Sequence, residues 1–490
     1  MGATSSRDVL VWGVRRYRGK RKTTYTVRWR VAGHVHQDTF ETSKLADSFR
    51  ARLLLAVQAA EAFDIATGLP LSAVSAARQQ VTWLSHAMAF VDVKWPHSSP
   101  RHRKGIAEGL VTATVAAFND RVPNEERMRR ALERWAFNAG TRRAGDEIPE
   151  EFSAAIRWAE KHSPTLADFA GAQTLRRVLD GLAKRLDGRP ASSSTVSRKR
   201  SALYSALQYA VEIDELDLNP MDRLAWKPPP HTDVVDRRVV VNPEQARALL
   251  AAVRRIYPSL EAFFACIYYA AMRPAEVRHL ASTDLALPEG VDAWGSITLL
   301  GSTQTTGREW TDSGQPNEDR ALKHRARRAT RVAPAPPELV DALHRHLAAF
   351  APGVGGRLFV TRAGRAGVPV APPYASPQSM GTVYRVWDLA RREVLTDQEY
   401  ASPLAKRPYD LRHAAVSLWL NAGVPATQVA EWAGHSVNVL LRVYAACIVG
   451  QDEASRQRVG LALRSSHGFA AGSADAPSAQ TSPRFPHDQP

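Results

Sequence analysis

Five residues spread over the second half of the chain carry the side chains that an exchange of phosphodiester bonds requires: Arg273, Lys323, Arg412, His435 and Tyr444. As a phosphorus centre becomes pentacoordinate, charge builds on its nonbridging oxygens, and a guanidinium meets that charge with a rigid fork of donors that stays protonated. Two arginines can therefore stand where a metal ion would otherwise serve. A tyrosine hydroxyl, with an ordinary pKa near ~10, is a poor nucleophile at neutral pH and needs positive surroundings, a base, or both. The departing 5′ oxygen needs a proton, and a lysine on a hairpin, where Lys323 is expected, is a suitable donor. Taken singly these residues mean little, because a tyrosine in an apolar stripe is usually core and an arginine at a helix start is usually solvated.

Three of the five fall within residues 407–445, RPYDLRHAAVSLWLNAGVPATQVAEWAGHSVNVLLRVYA. The pattern predicts helix, turn, helix, turn, helix, with Gly423 and Gly434 at the breaks, since glycine takes the left-handed cap conformation without steric cost. Two readings fit. One is a helix-turn-helix reader of DNA, in which Val437, Leu440, Leu441 and Tyr444 pack at helical spacing. The other is a phosphoryl-transfer site with Tyr444 as nucleophile and Arg and His holding the phosphate.

The elements that would position this stretch follow from the rest of the chain. Its 490 residues exceed one typical domain. The 65 Lys and Arg against 49 Asp and Glu leave a net charge of +16, which favours a polyanionic partner, nucleic acid first. No stretch reads as a signal peptide or as the run of roughly 18 apolar residues that a membrane span needs, so a cytoplasmic location without membrane association is expected. The two cysteines, Cys266 and Cys447, lack metal-ligand spacing and read as small core residues.

Residues 11–40 alternate as strands with turns at Gly19 and Gly33, which predicts a three-stranded antiparallel meander, followed by a helix from about Lys44 to Ala62 capped by Thr42 or Ser43. From Trp12 to Arg30 there are eight basic residues and no acid: Arg15, Arg16, Arg18, Lys20, Arg21, Lys22, Arg28 and Arg30. One face of this small sheet is expected to be strongly positive and to bind DNA. A linker near 68–72 leads to residues 80–226, helical throughout, whose last helix carries Arg198, Lys199 and Arg200 in its early turns, near the positive end of the helix dipole and suited to phosphate. The WKPPP run at 226–230 marks an interdomain boundary.

Beyond it, residues 235–465 read as a mixed domain. Helices are predicted over 243–256, 259–270, 337–350 and 379–394, the second apolar all round and so central, with PAEVRHL after Arg273 as a further helix. GSITLL and the segment RALKHRARRATRVAPAP are read as a hairpin, RLFVT as a strand, and residues from Gly301 to about Arg320 as an irregular loop. The Ala, Ser, Pro and Gly of 466–490 predict a disordered tail. The fold class expected is thus mostly α with small β elements: a sheet plus helix over 1–70, an all-helical domain over 80–226, and an α+β domain over 235–465.

With these residues in order, Arg273 in AMRPAEVRHL, Lys323 in LKHRA, Arg412 in YDLRHAAVSLWLNAG, and His435 and Tyr444 in GHSVNVLLRVY, the chain resembles the tyrosine recombinase (phage integrase) family, in wording most similar to integrases of actinobacterial phages and integrative plasmids. The resemblance covers 235–465 and, more loosely, what precedes it: 1–70 is similar to an arm-type DNA-binding domain and 80–226 to a core-binding domain. It implies that Tyr444 attacks the scissile phosphate to leave a 3′-phosphotyrosine and a free 5′ hydroxyl. It further implies that Arg273 and Arg412 clamp the phosphate, that His435 hydrogen-bonds it, that Lys323 protonates the leaving oxygen and that Glu276 supports the site. No cofactor or metal is implied. The implied partners are double-stranded DNA attachment sites, three further copies of the chain in a homotetramer on DNA, and an excisionase or DNA-bending host factor as accessory.

One departure stands out. Three residues before the second arginine the family usually has histidine, and this chain has Tyr409, chiefly a donor or positioning group. His413 follows Arg412 directly, but adjacent side chains lie about 100° apart on a helix, which argues against its taking over that role. Two rival functions share the fold: a DNA-binding regulator without chemistry, and a type IB topoisomerase-like relaxing enzyme.

Overall fold

The computed structural model describes residues 5–18, 22–74, 81–145, 147–229, 234–290, 292–322, 330–364, 367–444, 456–461 and 463. Lys20, Arg21, Lys323, Cys447 and the 466–490 tail lie outside the described residues. The chain is mostly helical with small sheets and divides into two compact units, Met1–Thr232 with Thr306–Pro316, and Asp233–Thr305 with Asn317–Pro490.

In the first unit, β1 (Val9–Val11) and β2 (Arg15–Arg18) both pair with β3 (Thr23–Val31), and β4 (His34–Phe40) pairs with β3 along most of its length. A strand has two edges, so β1 and β2 must share the edge that β4 leaves. The first row of the expected meander is therefore present but interrupted around Gly13, and the sheet has four strands instead of three. Val27, Trp29 and Val31 alternate inward against Leu53 and Ala46 of α1 (Ser43–Gln58), whose N-cap is Thr42.

The same alternation divides the basic residues. Arg15 lies opposite Thr26, on the face that Arg28 and Arg30 share, whereas Arg16 and Arg18 lie opposite Tyr25 and Thr23 and belong to the helix side, exposed at the edge. Lys22 pairs with Glu41 at 3.3 Å. The positive face is thus narrower than the residue count alone suggests, with Arg28 lying over the Trp12 ring.

The helical part contains α2 (Trp83–Lys94), α3 (Pro100–Ala117), α4 (Glu150–His162), α5 (Ala172–Leu182) and α6 (Ser193–Glu212), with shorter turns between. Trp83 stacks on Phe169 with ring centroids 3.8 Å apart in its core. Gly109 lets α3 and α6 approach closely, because a Cβ there would meet the Ala202 Cβ at 2.9 Å. That approach engages the basic start of α6: Arg198 donates to Glu108 at 2.6 Å and Lys199 to the Thr112 hydroxyl at 3.1 Å.

A segment from far along the sequence completes this core. Residues Thr306–Pro316 belong to the first unit, and Trp310 is buried in the helical core beside Trp95, at 6.0 Å between rings. Arg103, itself buried, donates to the carbonyls of Trp95 and Trp310 and bidentately to Asp312 at 2.8 and 2.9 Å. Asn138 holds the Glu309 carbonyl at 2.9 Å. The region read from sequence as an irregular loop is in fact this strap, flanked by two short strands.

In the second unit, α7 (Pro243–Ile256) opens on a capping box of Asn242 and Gln245, and α8 (Glu261–Tyr269) is buried on nearly every side. The helix predicted after Arg273 is a single turn, α9 (Pro274–Val277). β5 (Leu285–Ala286), β6 (Gly295–Leu299) and β9 (Arg331–Ala335) form one antiparallel sheet, so the predicted hairpin is present. β7 (Ser302–Thr305) and β8 (Asn317–Arg320) form a separate ladder. Its polar strands are fastened to the turn after α9: Arg278 donates to the Thr303 carbonyl at 3.0 Å and to Asn317 at 3.0 Å. RLFVT makes only isolated bridges, Ala281 with Arg357 and Val360 with Pro377, and is not a regular strand. Helices α10 (Pro337–Ala349), α11 (Met380–Val394), α12 (Asp410–Asn421), α13 (Ala426–Ala433) and α14 (Val437–Tyr444) follow.

If the Trp310 side chain is core and not decoration, Trp310→Ala is expected to destabilise the first unit by about 3–5 kcal/mol. Urea unfolding followed by tryptophan fluorescence would measure it, and a change within the error of the unaltered chain would show the strap to be peripheral.

Candidate active site

The C-terminal glycines do what their spacing predicts. Gly423 follows α12 with φ +83, and Gly434 caps α13 in the left-handed conformation, φ 68 and ψ 50. Gly434 has a second reason to lack a side chain: a Cβ would meet Arg331 Nη1 at 2.9 Å, and its own carbonyl accepts Arg273 Nη2 at 2.8 Å. These turns bring Arg412 of α12, His435 at the α13–α14 turn and Tyr444 at the end of α14 together with Arg273, which precedes α9.

Arg412 is fully buried. Its Nη1 donates to the Ala271 carbonyl, and its Nη2 donates to the Ala433 carbonyl at 2.6 Å and to His435 Nε2 at 2.8 Å. Because a guanidinium only donates, His435 Nε2 is the acceptor and its proton resides on Nδ1. Burial, and then the Arg412 and Arg273 charges, push the imidazole down to about 3, so it is neutral near pH 7. His435 Nδ1 and Arg412 Nε are both buried and have no hydrogen-bond partner among the described residues. Two orphaned donors on one linked pair are the signature of a site that expects an acceptor.

Arg273 is anchored on Glu276, Nη1 to Oε1 at 2.7 Å, while its backbone N–H is capped by Oε2 at 2.8 Å. Glu276 is 2% exposed, and its Oε2 also accepts Arg331 Nη2 at 2.6 Å. Burial alone would raise this carboxyl, but Arg331, Arg273 and Arg412 hold it below the usual carboxylate range. Burial likewise opposes the Arg273 charge, yet Glu276 and a hydrogen bond with Tyr409 keep the guanidinium above its ordinary value. Three guanidiniums thus surround one carboxylate, and the pocket carries buried positive charge in excess.

Tyr444 is 1% exposed, and its hydroxyl lies 2.9 Å from His413 Nδ1. Tyr409 packs edge-on against His413 at 5.1 Å between centroids, and His435 lies 5.9 Å from Tyr444. Of the predicted residues, the structure therefore gathers Arg273, Glu276, Tyr409, Arg412, His435 and Tyr444. Lys323 lies outside the described residues, and the basic residues of the N-terminal sheet and of α6 belong to the first unit.

Sequence analysis assigned no role to Arg331. It is 3% exposed and donates both to Glu276 and, at 2.7 Å, to the Trp432 carbonyl. Its burial pulls it down to about 10, still charged at neutral pH. A usable signal existed: Arg331 stands at i of the run Arg331, Ala333, Ala335, whose alternate residues face inward on β9.

No protein-family model and no curated protein matches the chain. Among solved structures, it is similar to the Tn1549 transposon integrase in complex with transposon right end DNA, at 17% identity and a TM-score of 0.43, covering 66% of this chain and 96% of that one. It is similar to the XerH site-specific recombinase bound to palindromic difH substrate, at 12% identity and TM-score 0.40, covering 74% and 97%. A lambda integrase tetramer bound to a Holliday junction is similar at 13% identity and TM-score 0.41, covering 86% and 95%.

Removing one partner of a buried ion pair leaves the other charge uncompensated, at a cost of about 3–5 kcal/mol. Glu276→Gln, which leaves Arg273 and Arg331 without their shared counter-charge, is expected to lose stability on that scale, and the Arg331→Met, Glu276→Gln double variant distinctly less than the sum of the two single changes, measured by denaturant unfolding of each. A pH effect follows from the two histidines. His413, lowered to about 4, and His435, lowered to about 3, are protonated more readily in the unfolded chain, near ~6.5. Their contribution is therefore full above that value and is lost as pH falls toward 4. The thermal midpoint should drop between pH 6.5 and 4 by a margin that His413→Gln reduces, with scanning calorimetry across that range as the check.

Proposed function

We propose that this chain is a tyrosine-type site-specific DNA recombinase, cutting and rejoining DNA through a 3′-phosphotyrosine to integrate or excise a mobile element. The observation that supports this best is the buried excess of guanidinium charge, with unsatisfied donors on Arg412 and His435, beside the Tyr444 hydroxyl. A phosphodiester is the ligand that satisfies it. Its nonbridging oxygens would accept from Arg273, Arg412 and His435 Nδ1, and those donors would gain most as charge builds in the pentacoordinate state. Tyr444 would attack the phosphorus and the 5′ oxygen would leave with a proton, a role for which Lys323 is the candidate. The phosphotyrosine ester conserves the bond energy, so a second strand's 5′ hydroxyl can reverse the step without a nucleotide cofactor.

In this reading the face of the N-terminal sheet bearing Arg15, Arg28 and Arg30 contacts the DNA backbone, as do the exposed parts of Arg16, Arg18, Lys22, Arg198 and Arg200. Four copies acting on two duplexes would exchange strands in pairs. A regulator without chemistry would need none of the buried arginine cage, which weighs against it.

Tyr444→Phe decides the matter. After the DNA ends of the adjoining element are mapped in its chromosomal and circular forms, a nicked duplex spanning that junction is incubated with the protein and resolved under denaturing conditions. The unaltered chain is expected to leave a covalent protein–DNA band and Tyr444→Phe none. A covalent band with the variant would overturn the assignment of the nucleophile.

A further inference from the structure

We infer that His413 Nδ1 is the base that takes the proton of Tyr444 as its oxygen attacks phosphorus. The inference rests on the recombinase reading and adds to it a residue whose position beside Arg412 argued against such a role.

The other groups of the pocket are unsuited to accept that proton. Arg273, Arg331 and Arg412 do not deprotonate. Glu276 is held by Arg273 and Arg331 through both oxygens. His435 has its one lone pair engaged by Arg412 Nη2, so it can only donate. Tyr409, a phenol like Tyr444 itself, offers no basicity to spare. Among the described residues near the Tyr444 hydroxyl, that leaves His413, whose Nδ1 is within hydrogen-bond distance at 2.9 Å.

The angular objection fails because the acceptor need not share a face with Arg412. Arg412 reaches inward to α13, while Tyr444 arrives from α14 on the adjacent face of α12 and meets His413 there. Burial, followed by the Arg412 and Arg407 charges, keeps the ring neutral at physiological pH, so its lone pair is available before the substrate arrives. Among the described residues, the titratable and charged groups near it include Arg407, Tyr409, Arg412, His435 and Tyr444. An entering phosphate adds negative charge to this surrounding and makes an imidazolium easier to form.

The step balances as follows. The Tyr444 oxygen–phosphorus bond forms, its proton moves to His413 Nδ1, the phosphorus–O5′ bond breaks, and O5′ takes a proton from water or a cationic side chain. In rejoining, a 5′ hydroxyl attacks phosphorus and gives its proton back to the water or side chain that had protonated O5′, the phosphorus–Tyr444 oxygen bond breaks, and His413 returns its proton to the departing phenolate.

His413→Asn keeps a polar atom near the Nδ1 position but cannot take the proton. Single-turnover cleavage of the nicked junction duplex is expected to slow by about 10²–10⁴-fold, with DNA affinity by gel shift unchanged. Replacing Tyr444 by 3-fluorotyrosine in that variant lowers the phenol pKa and should restore part of the rate. A duplex whose scissile 5′ oxygen is sulfur, a leaving group that needs no proton, should not. Cleavage by His413→Asn as fast as by the unaltered chain, or rescue by the sulfur substrate but not by fluorotyrosine, would overturn the inference and leave the recombinase reading intact. Absence of a covalent complex from the unaltered chain would overturn both.

Discussion

A carboxylate buried among three guanidiniums governs the geometry of the second unit. Glu276 sits one turn after Arg273, caps that residue's backbone N–H, and binds the side chains of Arg273 and Arg331 at once. An ion pair removed from water gains little net stability, because desolvation offsets most of the attraction. What it supplies is direction. Arg331 brings β9, Arg273 brings the end of α8, and the Trp432 and Gly434 carbonyls that these arginines hold bring the α13 turn. With one acid for three bases, the network is left positive and Arg412 Nε has no hydrogen-bond partner among the described residues, a state that an anionic ligand would relieve.

The same pocket shows how the cationic cage differs from a metal. A metal ion would bind oxygen ligands in its own coordination geometry, whereas here planar guanidiniums held at several points set the direction of the donors. Arg412 is held by two carbonyls and a histidine ring. Donors ordered in this way need no reorganisation when an anion binds.

Much of this could be read in the sequence, and the limits have physical causes. Gly423 and Gly434 marked their turns because only glycine adopts positive φ cheaply, and the unbroken apolar run of α8 announced a buried helix. The strands at 302–305 and 317–320 escaped notice because STQT and NEDR have no apolar alternation; their pairing is held by polar side chains such as Arg278 and Asp319, a cause invisible to periodicity. Arg331 had little to single it out, since Arg320, Arg325, Arg327 and Arg328 stand close to it in the sequence. The basic residues of the N-terminal sheet were counted correctly, but a count ignores the pleat, which sends Arg15 and Arg16 to opposite faces. Trp310 was legible in principle, since a lone tryptophan in a polar loop has few reasons to exist other than a distant socket.

That socket has a bearing on how the molecule is made. The helices over 83–212 leave the ribosome well before Trp310 is synthesised, so their core stays open beside Trp95 and Arg103 while the first part of the following unit, Asp233–Thr305, emerges. Completion of the first unit is thus tied in time to synthesis of the second. A chain arrested before the strap would present an apolar cleft and an Arg103 without the Trp310 carbonyl and the Asp312 carboxylate, the kind of surface that chaperones and proteases detect.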